Sequence, residues 1–377
     1  MIPGYTQTIS KKRFPYGKGM PEYITSAYEC RVIDQEGKEY IDWTASLGAI
    51  IRGYYPFDGY YSCLPMKTKS EDNLADLLCE ITKMDCVRFF KTGSDACTAA
   101  VRLSQKITGR RKIFSYGYHG WHDWTLLQNN DLWEIEDICT DRFLTLLKAY
   151  KPACLILEPV SRSYPLLDWK RLDKIRDICR IEGIVFILDQ ILWGFRTSLE
   201  GCAMSTNPDL VCYGKAMSNG LPISALVGRK DIMEDFDITG ITGTYFSDDY
   251  CFKNTISNIY TLLKFDYCDF SVKGVNFSAS LSRLIDTYNL NSFVSVKYFG
   301  PWCAFEWEDK IMQHLFIQEL IKKGILFNRD FFLMGAHTGR DIDKTLKSCD
   351  EVFKFIEYNL GLIDLNTLIT TNLRIEL

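Results

Sequence analysis

An acid and a lysine at the ends of two short apolar runs are the residues best suited to chemistry. Asp189 closes the apolar run of residues 184–188, and Lys215 follows the run of residues 210–213. A lysine amine can form a Schiff base with an aldehyde. An aspartate can keep a pyridine nitrogen protonated, so that the ring accepts electrons. The pair therefore predicts a site for pyridoxal 5'-phosphate (PLP), although a strand-end salt bridge with Arg196 and an ordinary surface lysine would also explain these residues.

Two other segments carry groups that suit a phosphate and a flat ring. Gly93 and Ser94 precede an expected helix, where the glycine allows close backbone approach and the serine hydroxyl joins the free amides of the helix start. The same residues also suit an ordinary helix cap. Tyr118 follows the next apolar run and could stack on a heteroaromatic ring. His119 and His122 have the spacing of two metal ligands on a helix, but flanking glycines disfavour that helix, so we expect polar packing around a cofactor and no metal.

Strands and helices alternate through the middle of the chain. Apolar runs predict strands at 87–90, 112–115, 154–157, 184–188 and 210–213, and apolar residues at every third or fourth position predict helices at 96–107 and 169–181. This order indicates an α/β fold with a largely parallel sheet covered by helices. Ligands of such sheets bind beyond the carboxyl ends of the strands, where Gly93, Tyr118, Asp189 and Lys215 all fall.

The two ends of the chain differ from the middle and predict a second domain. Residues 28–40 suggest a hairpin that turns at 34–37, and the last hundred residues mix short strands with helices at 312–323 and 342–358. We expect residues 1–50 and 271–377 to form a smaller α+β domain. Residues 51–270 are then the large, cofactor-binding domain.

Composition excludes several classes of protein. The chain has 377 residues, 47% of them hydrophobic, and a formal net charge of −4, so it has no strong nucleic-acid signal. It contains no apolar run of membrane-spanning length and no segment resembling a signal peptide, which predicts a cytoplasmic protein without a membrane partner. Its 14 cysteines include no C-x-x-C pair and lie largely in apolar stretches, which is typical of reduced core residues.

Taken together, these segments resemble the class III aminotransferases, and most closely the glutamate-1-semialdehyde aminomutase-like branch. The resemblance implies the aspartate aminotransferase-like PLP-dependent transferase fold, fold type I, with a central mixed, mostly parallel sheet flanked by helices. It extends in order over nearly the whole chain. The matching stretches are residues 19–24, 40–43, 89–96, 100–103, 108–110, 117–124, 157–160, 189–191, 194–196, 213–229 and 323–327.

The resemblance also implies roles for individual residues. Lys215 would hold the cofactor as a Schiff base and move protons, and Asp189 would pair with the pyridine nitrogen. Gly93 and Ser94 would bind the phosphate.

Three further residues receive roles in the same way. Tyr118 would cover one face of the ring and Ile191 would pack on the other. Thr244 would reach the phosphate of the partner subunit's cofactor, which implies a homodimer with shared active sites.

The chain departs from the family pattern beside these residues. Gln190 stands where the family has glutamate, Trp193 where it has a small residue, and residues 245–249 replace a glycine-rich turn. The substrate-anchoring residue stays open among four arginines, namely Arg52, Arg162, Arg196 and Arg329.

The leading hypothesis is a PLP-dependent aminotransferase or aminomutase that acts on a small amine or carbonyl compound. A PLP-dependent lyase or decarboxylase is the closest alternative, because the same electron sink serves either reaction. A nucleotide-linked or sugar-linked substrate stays open. A catalytically inactive scaffold protein is a further alternative, which intact Lys215 and Asp189 disfavour.

Overall fold

The computed structural model describes residues 21, 24–55, 68–126, 131–160, 169–234, 236–327 and 330–360. The chain divides into two compact units. Unit 1 combines Met1–Pro56 with Cys268–Leu377, and unit 2 is Phe57–Tyr267. These limits lie three to six residues from the predicted boundaries at 50/51 and 270/271, and the division into two domains stays a prediction. Residues 19, 20, 22 and 23 of the N-terminal matching stretch lie outside the described residues.

The described strands and helices alternate through the middle of the chain, as the sequence pattern predicted. The strands are β1 (Ile24–Tyr28), β2 (Arg31–Asp34), β3 (Glu39–Asp42), β4 (Cys86–Phe90), β5 (Ile113–Tyr116), β6 (Leu132–Glu134), β7 (Cys154–Leu157), β8 (Val185–Asp189), β9 (Leu210–Tyr213), β10 (Ser224–Gly228), β11 (Val294–Phe299), β12 (Trp302–Trp307), β13 (Ile325–Leu326) and β14 (Asp330–Phe332). The helices are α1 (Ala45–Gly48), α2 (Lys69–Thr82), α3 (Gly93–Thr108), α4 (Asp141–Tyr150), α5 (Trp169–Glu182), α6 (Lys230–Met233), α7 (Asp249–Leu262), α8 (Tyr267–Thr287), α9 (Lys310–Lys322) and α10 (Gly339–Asn359).

Unit 2 is built on a seven-stranded sheet in the order β4-β10-β9-β8-β7-β5-β6. Strand β10 runs antiparallel to both neighbours, and every other neighbouring pair is parallel. Strands β7, β8 and β9 are buried along their whole length, as expected for a sheet covered on both faces. The predicted α/β fold with a mixed, mostly parallel sheet is confirmed. Its five predicted strands agree to within one residue, whereas the short β6 and the antiparallel β10 were not predicted.

Helix α3 positions one part of the candidate site, and its sequence explains where it begins and ends. The Thr92 hydroxyl accepts a hydrogen bond from the Asp95 amide, while the Asp95 carboxylate accepts one from the Thr92 amide. This reciprocal capping satisfies two donors at the helix start. The helix ends at Gly109, whose φ of 65° suits glycine. Its buried face, which includes Ala96, Ala99 and Leu103, packs into the core cluster beneath the sheet.

Unit 1 contains two smaller sheets, β1-β2-β3-β13 and β11-β12-β14. The expected hairpin is formed by β2 and β3, with Gly37 in the turn at φ 81°. The indole of Trp43 lies between two rings of the core, 4.8 Å from that of Phe277 and 4.0 Å from that of His337. In the described part of the whole chain, no helix has the length and apolar character needed to cross a membrane. The described cysteines are free thiols, and most of them are buried.

Candidate active site

One edge of the unit 2 sheet collects most of the residues singled out from the sequence. Strands β4, β5, β7, β8 and β9 all point the same way, because β10 is antiparallel to both β4 and β9. Their carboxyl ends therefore share one edge. The residues that close or follow these strands are Gly93 and Ser94 after β4, Tyr118 and His119 after β5, Glu158 after β7, Asp189 in β8, and Lys215 after β9.

Asp189 is the most heavily supported of these residues. It is 2% exposed, and three donors converge on its carboxylate. His119 Nδ1 lies 2.7 Å and Cys97 Sγ 3.3 Å from Oδ2, and the Ile191 amide lies 3.0 Å from Oδ1. A buried carboxylate needs such donors because its charge is otherwise strongly penalised. The site therefore keeps a negative charge at the end of β8.

His119 is the charged partner of Asp189. Its Nδ1 faces the Asp189 carboxylate, and its Nε2 lies 3.2 Å from the carbonyl oxygen of Tyr116. Because both ring nitrogens face acceptors, both must carry protons. Burial alone would lower the pKa of His119, but hydrogen bonds with Asp189 and Cys97, together with the charge of Asp189, outweigh it and raise the pKa to about 10. His119 and Asp189 thus form a buried ion pair.

Glu158 brings a second carboxyl group to the same edge. Its Oε2 accepts a hydrogen bond of 3.0 Å from the Tyr118 amide. Burial, reinforced by the negative charge of Asp189, raises the pKa of Glu158 to about 7, while His119 and Lys215 pull it down. Glu158 therefore changes protonation near neutral pH and senses the charge of Lys215.

Lys215 begins a 3₁₀ helix, Lys215–Ser218, directly after β9. It has a φ of 46° and is partly buried. The left-handed backbone is unusual for a residue with a side chain, and such conformations persist where the surroundings impose them. Asn258 holds the next two residues of this turn, since its Nδ2 donates to the carbonyl oxygens of Ala216 and Met217, at 3.0 and 2.9 Å.

The start of α3 forms a narrow cradle with the loop after β5. The Asp95 and Ala96 amides both bond to Thr92, whereas the amides of Gly93 and Ser94 have no acceptor within the described ranges. A Cβ added to Gly120, whose φ is +99°, would lie 2.2 Å from Ser94 Oγ.

Ile191 closes the cradle from the other side. A Cβ added to Gly93 would lie 2.9 Å from Cγ2 of Ile191. Glycine at this position therefore keeps the helix start in direct contact with the Ile191 side chain, as only a residue without Cβ permits.

The remaining predicted residues lie at the surface of unit 2. Tyr118 is 69% exposed although its backbone is held by Glu158. Thr244 is an exposed residue in the turn before α7. Behind it, Phe246 packs edge-on to Phe90 with ring centroids 5.2 Å apart. The loop is thus anchored by an aromatic side chain where the family has glycines.

The two other departures from the family pattern are buried. The Gln190 amide group donates from Nε2 to the Cys202 carbonyl oxygen, and its Oε1 accepts from the Cys202 amide at 3.4 Å. Trp193 is 1% exposed and donates from Nε1 to the Val160 carbonyl oxygen at 2.7 Å. Both side chains therefore secure loops behind the sheet edge.

Among the candidate anchors, Arg162 and Arg329 lie outside the described residues. Arg196 is fully buried, and burial lowers its pKa to about 10. Arg52 lies in unit 1, where its guanidinium carbon is 5.5 Å from the centre of the Tyr55 ring.

The two histidines of the H-x-x-H sequence do not point to a common centre. His119 binds Asp189, whereas His122 Nδ1 pairs with the Thr98 hydroxyl at 2.8 Å. His119 instead forms, with Cys97 and Asp189, a group whose possible ligand atoms lie within 4.8 Å of one another. Those atoms are joined by the hydrogen bonds described above.

Three residues of the site received no role from the sequence. His119 was considered only as a metal ligand or as polar packing, Glu158 only as part of a matching stretch, and Cys97 only as a core thiol. The position of Glu158, directly after the buried strand β7, was a usable signal. Nothing in the sequence indicated that Cys97 on α3 would reach Asp189.

Comparison with known proteins identifies the family and the fold. The family model described as aminotransferase class III matches residues 129–330. Glutamate-1-semialdehyde 2,1-aminomutase of Caldicellulosiruptor saccharolyticus is 28% identical, over 89% of this chain and 92% of its own. The 3-aminobutyryl-CoA aminotransferase of Cloacimonas acidaminovorans is 28% identical, over 85% and 86%. The structure of the FumI protein of Sphingopyxis sp. MTA144 has the same fold, with a TM-score of 0.86 at 20% identity over 98% and 97% of the two chains.

Proposed function

The chain belongs to the class III aminotransferase family, and from that premise we propose how its own residues serve the reaction. It is a PLP-dependent enzyme of the aminotransferase and aminomutase type, and its substrate is a small molecule. We propose that Lys215 and Asp189 are its catalytic residues. The observation that carries this proposal is the buried carboxylate of Asp189 at the end of β8, which accepts three hydrogen bonds and lies beside the strand that leads into Lys215.

The cradle at the start of α3 fits the phosphate of PLP. Two amides without an acceptor among the described residues and a serine hydroxyl lie together at a helix N-terminus, where the helix dipole also favours an anion. We propose that Gly93 and Ser94 hold the phosphate. Gly120 then leaves room for the Ser94 hydroxyl, because any Cβ at position 120 would collide with Ser94 Oγ.

The charges around Asp189 fit a protonated pyridine ring. With His119 protonated, the buried carboxylate of Asp189 keeps its negative charge and can accept a hydrogen bond from a protonated ring nitrogen. We propose that Ile191 packs on one face of the ring, since its side chain lies against Gly93, and that Tyr118 covers the other face. The exposed ring of Tyr118 leaves it accessible for that contact.

When bound, PLP supplies an aldehyde that condenses with amines and a ring that draws electrons from the adjacent carbon. Lys215 would hold the cofactor through its Nζ, and the same amine, when not bonded to the cofactor, would accept and return a proton. Glu158 lies within electrostatic reach of Lys215 and has a pKa of about 7. Its carboxylate therefore favours the charged form of the lysine above neutral pH.

The finer features of the function rest on the family resemblance. The relatives are named for two different substrates. We therefore propose only the class of substrate, a small compound whose amino group is exchanged for a carbonyl group or the reverse. Exposed Thr244 supports a homodimer in which it reaches the phosphate at the partner subunit's site. A cytoplasmic location is part of the same proposal.

The lyase or decarboxylase alternative has no specific support in the described residues. Trp193 was one reason to consider it, and that side chain is buried against a backbone carbonyl. The other reason was the altered loop, in which Phe246 packs against Phe90. The relatives named above are an aminomutase and an aminotransferase, which also disfavours an inactive scaffold.

Borohydride reduction of the PLP-loaded protein tests the proposal. We expect the label on the peptide that contains Lys215, and its loss in Lys215→Ala. Lys230→Ala is the matched control, since Lys230 is an exposed lysine at the start of α6 and should leave the labelled peptide unchanged. A label on another lysine of the wild-type protein, or no cofactor absorbance at all, would refute the assignment.

A further inference from the structure

Cys97 touches the carboxylate on which the proposed function depends, although it is part of the hydrophobic core. It lies in the first turns of α3, is 1% exposed, and its Sγ is 3.3 Å from Asp189 Oδ2. The distance is within the range of a sulfur hydrogen bond. The thiol can only donate here, because Oδ2 belongs to a carboxylate that is paired with protonated His119.

The donors around Asp189 leave little freedom to its carboxylate. An ionised carboxylate offers about four lone-pair positions. His119 and Cys97 occupy two positions on Oδ2, and the Ile191 amide occupies one on Oδ1. About one position then remains for an incoming donor. Its direction is set by the three that are already filled.

The contact is held from both sides, so it does not depend on a mobile side chain. Cys97 is anchored in a helix whose start is capped by Thr92 and Asp95. It also belongs to the same buried core cluster as Cys212, which is fully buried in β9 and pairs in register with Asp189. The Cys97 side chain is therefore packed in the core where helix and strand meet.

We propose that Cys97 is a positioning residue for the cofactor, and that its thiol donates the hydrogen bond that fixes the Asp189 carboxylate plane. The inference rests on the proposed function, since it concerns the group that would receive the pyridine nitrogen. Cys97 acts through Asp189 and does not itself touch the reacting atoms. Its substitution therefore changes how tightly and in what orientation PLP is held, without removing the charge that holds it.

The hydrogen bond can be tested first without cofactor, by the infrared S–H stretching band of the apoprotein. The difference between wild type and Cys97→Ala isolates the band of this thiol. In Asp189→Asn the acceptor is neutral, so we expect the band to move toward that of a weakly bonded thiol. A Cys97 band that is the same in wild type and Asp189→Asn would overturn the inference.

Cofactor affinity tests the consequence. We expect Cys97→Ala to raise the Kd for PLP about fivefold to tenfold, since a hydrogen bond to a charged group is lost but the thiol is a weak donor. Cys97→Ser keeps a donor and should stay within about twofold of wild type.

Cys154→Ala is the matched control for the loss of packing. Cys154 is fully buried in the same core cluster, in β7, and its described side-chain partner is Ser104 rather than Asp189. It should lose a similar amount of stability and bind PLP as wild type does.

The outcomes separate this inference from the function on which it rests. If wild type binds PLP and Cys97→Ala binds it equally well, or if Cys154→Ala weakens binding as much as Cys97→Ala, only the role of Cys97 is refuted. If wild type binds no PLP, the proposed function fails and the inference fails with it. Rescue by serine together with a normal control supports the positioning role.

Discussion

We predict that the Asp189→Asn substitution discharges His119 at neutral pH. In the folded protein, burial lowers the pKa of His119, but hydrogen bonds with Asp189 and Cys97 and the negative charge of Asp189 raise it to about 10. Asparagine has nearly the same shape as aspartate and no charge. With the charge of Asp189 gone, burial is a larger influence than the remaining hydrogen bond with Cys97, and the pKa of His119 should fall below its ordinary value of 6.5. At pH 7.5 the imidazole would then be neutral.

The magnitude follows from the pKa difference. The step from 6.5 in the unfolded chain to about 10 in the folded protein corresponds to about 5 kcal/mol, at about 1.36 kcal/mol for each pKa unit. Because the folded pKa is raised, this stabilisation is fully present below pH 6.5 and is lost as pH rises through about 10. The wild-type apoprotein should therefore lose stability between these values, and Asp189→Asn should lose much less over the same interval.

Histidine-labelled apoprotein gives a direct measurement, because the chain has four histidines. We expect the His119 ring signals of wild type to stay those of an imidazolium up to about pH 9, and to become neutral in Asp189→Asn. His337 is the internal control: burial lowers its pKa to about 4, it lies in unit 1, and both proteins should show it neutral at pH 7.5. A wild-type His119 that titrates between pH 6 and 7 would refute the buried ion pair.

Three other substitutions test the site. Burial and a neighbouring charge raise the pKa of Glu158 to about 7, so its stabilising effect is lost as pH rises from 4.5 through 7. The free energy of unfolding of Glu158→Gln, measured in urea, should therefore rise by up to about 3 kcal/mol relative to that of wild type between pH 5 and pH 8. A difference between the two proteins that does not change with pH would contradict this. Gln190→Glu would place a carboxylate against a backbone carbonyl and should cost about 1–3 kcal/mol; an unchanged thermal midpoint would argue against it. Gly120→Ala should cost clearly more stability than Gly109→Ala and weaken PLP binding. Both positions have positive φ, so an alanine at either would be strained by about 1–2 kcal/mol. Only the Cβ of an alanine at position 120 would also collide with Ser94. Equal losses of stability in urea unfolding would refute the cradle.

Much of the sheet could be predicted because its strands are locally encoded. Parallel strands covered on both faces are continuous apolar runs, and β7, β8 and β9 stand out in the sequence for that reason. The two missed strands lack that signal. Strand β6 has three residues, none of them fully buried, and β10 follows a segment of glycine and proline that suggests a loop.

Strand ends also explain why several site residues could be predicted. A polar residue at the end of a buried parallel strand, or within two residues after it, must emerge at the binding edge, whatever the rest of the chain does. Asp189, Tyr118 and Lys215 were found by that rule, and Glu158 satisfies it as well. Departures from the family pattern were harder to interpret, because Gln190 and Trp193 face backbone carbonyls of loops that are distant in sequence.

The amino-acid sequence by itself determined which polar residues lie at the ends of the strands, and to which family the chain belongs. Only the tertiary structure decided that His119 is a charged partner of Asp189 and that Cys97 is a donor to the same carboxylate. Strand ends are properties of neighbouring residues, so they can be identified along the chain. His119 and Cys97 lie about 70 and 90 positions before Asp189 in the sequence, yet both contact its Oδ2. The Cys97 contact depends on helix α3 packing against the sheet at one particular rotation about its axis.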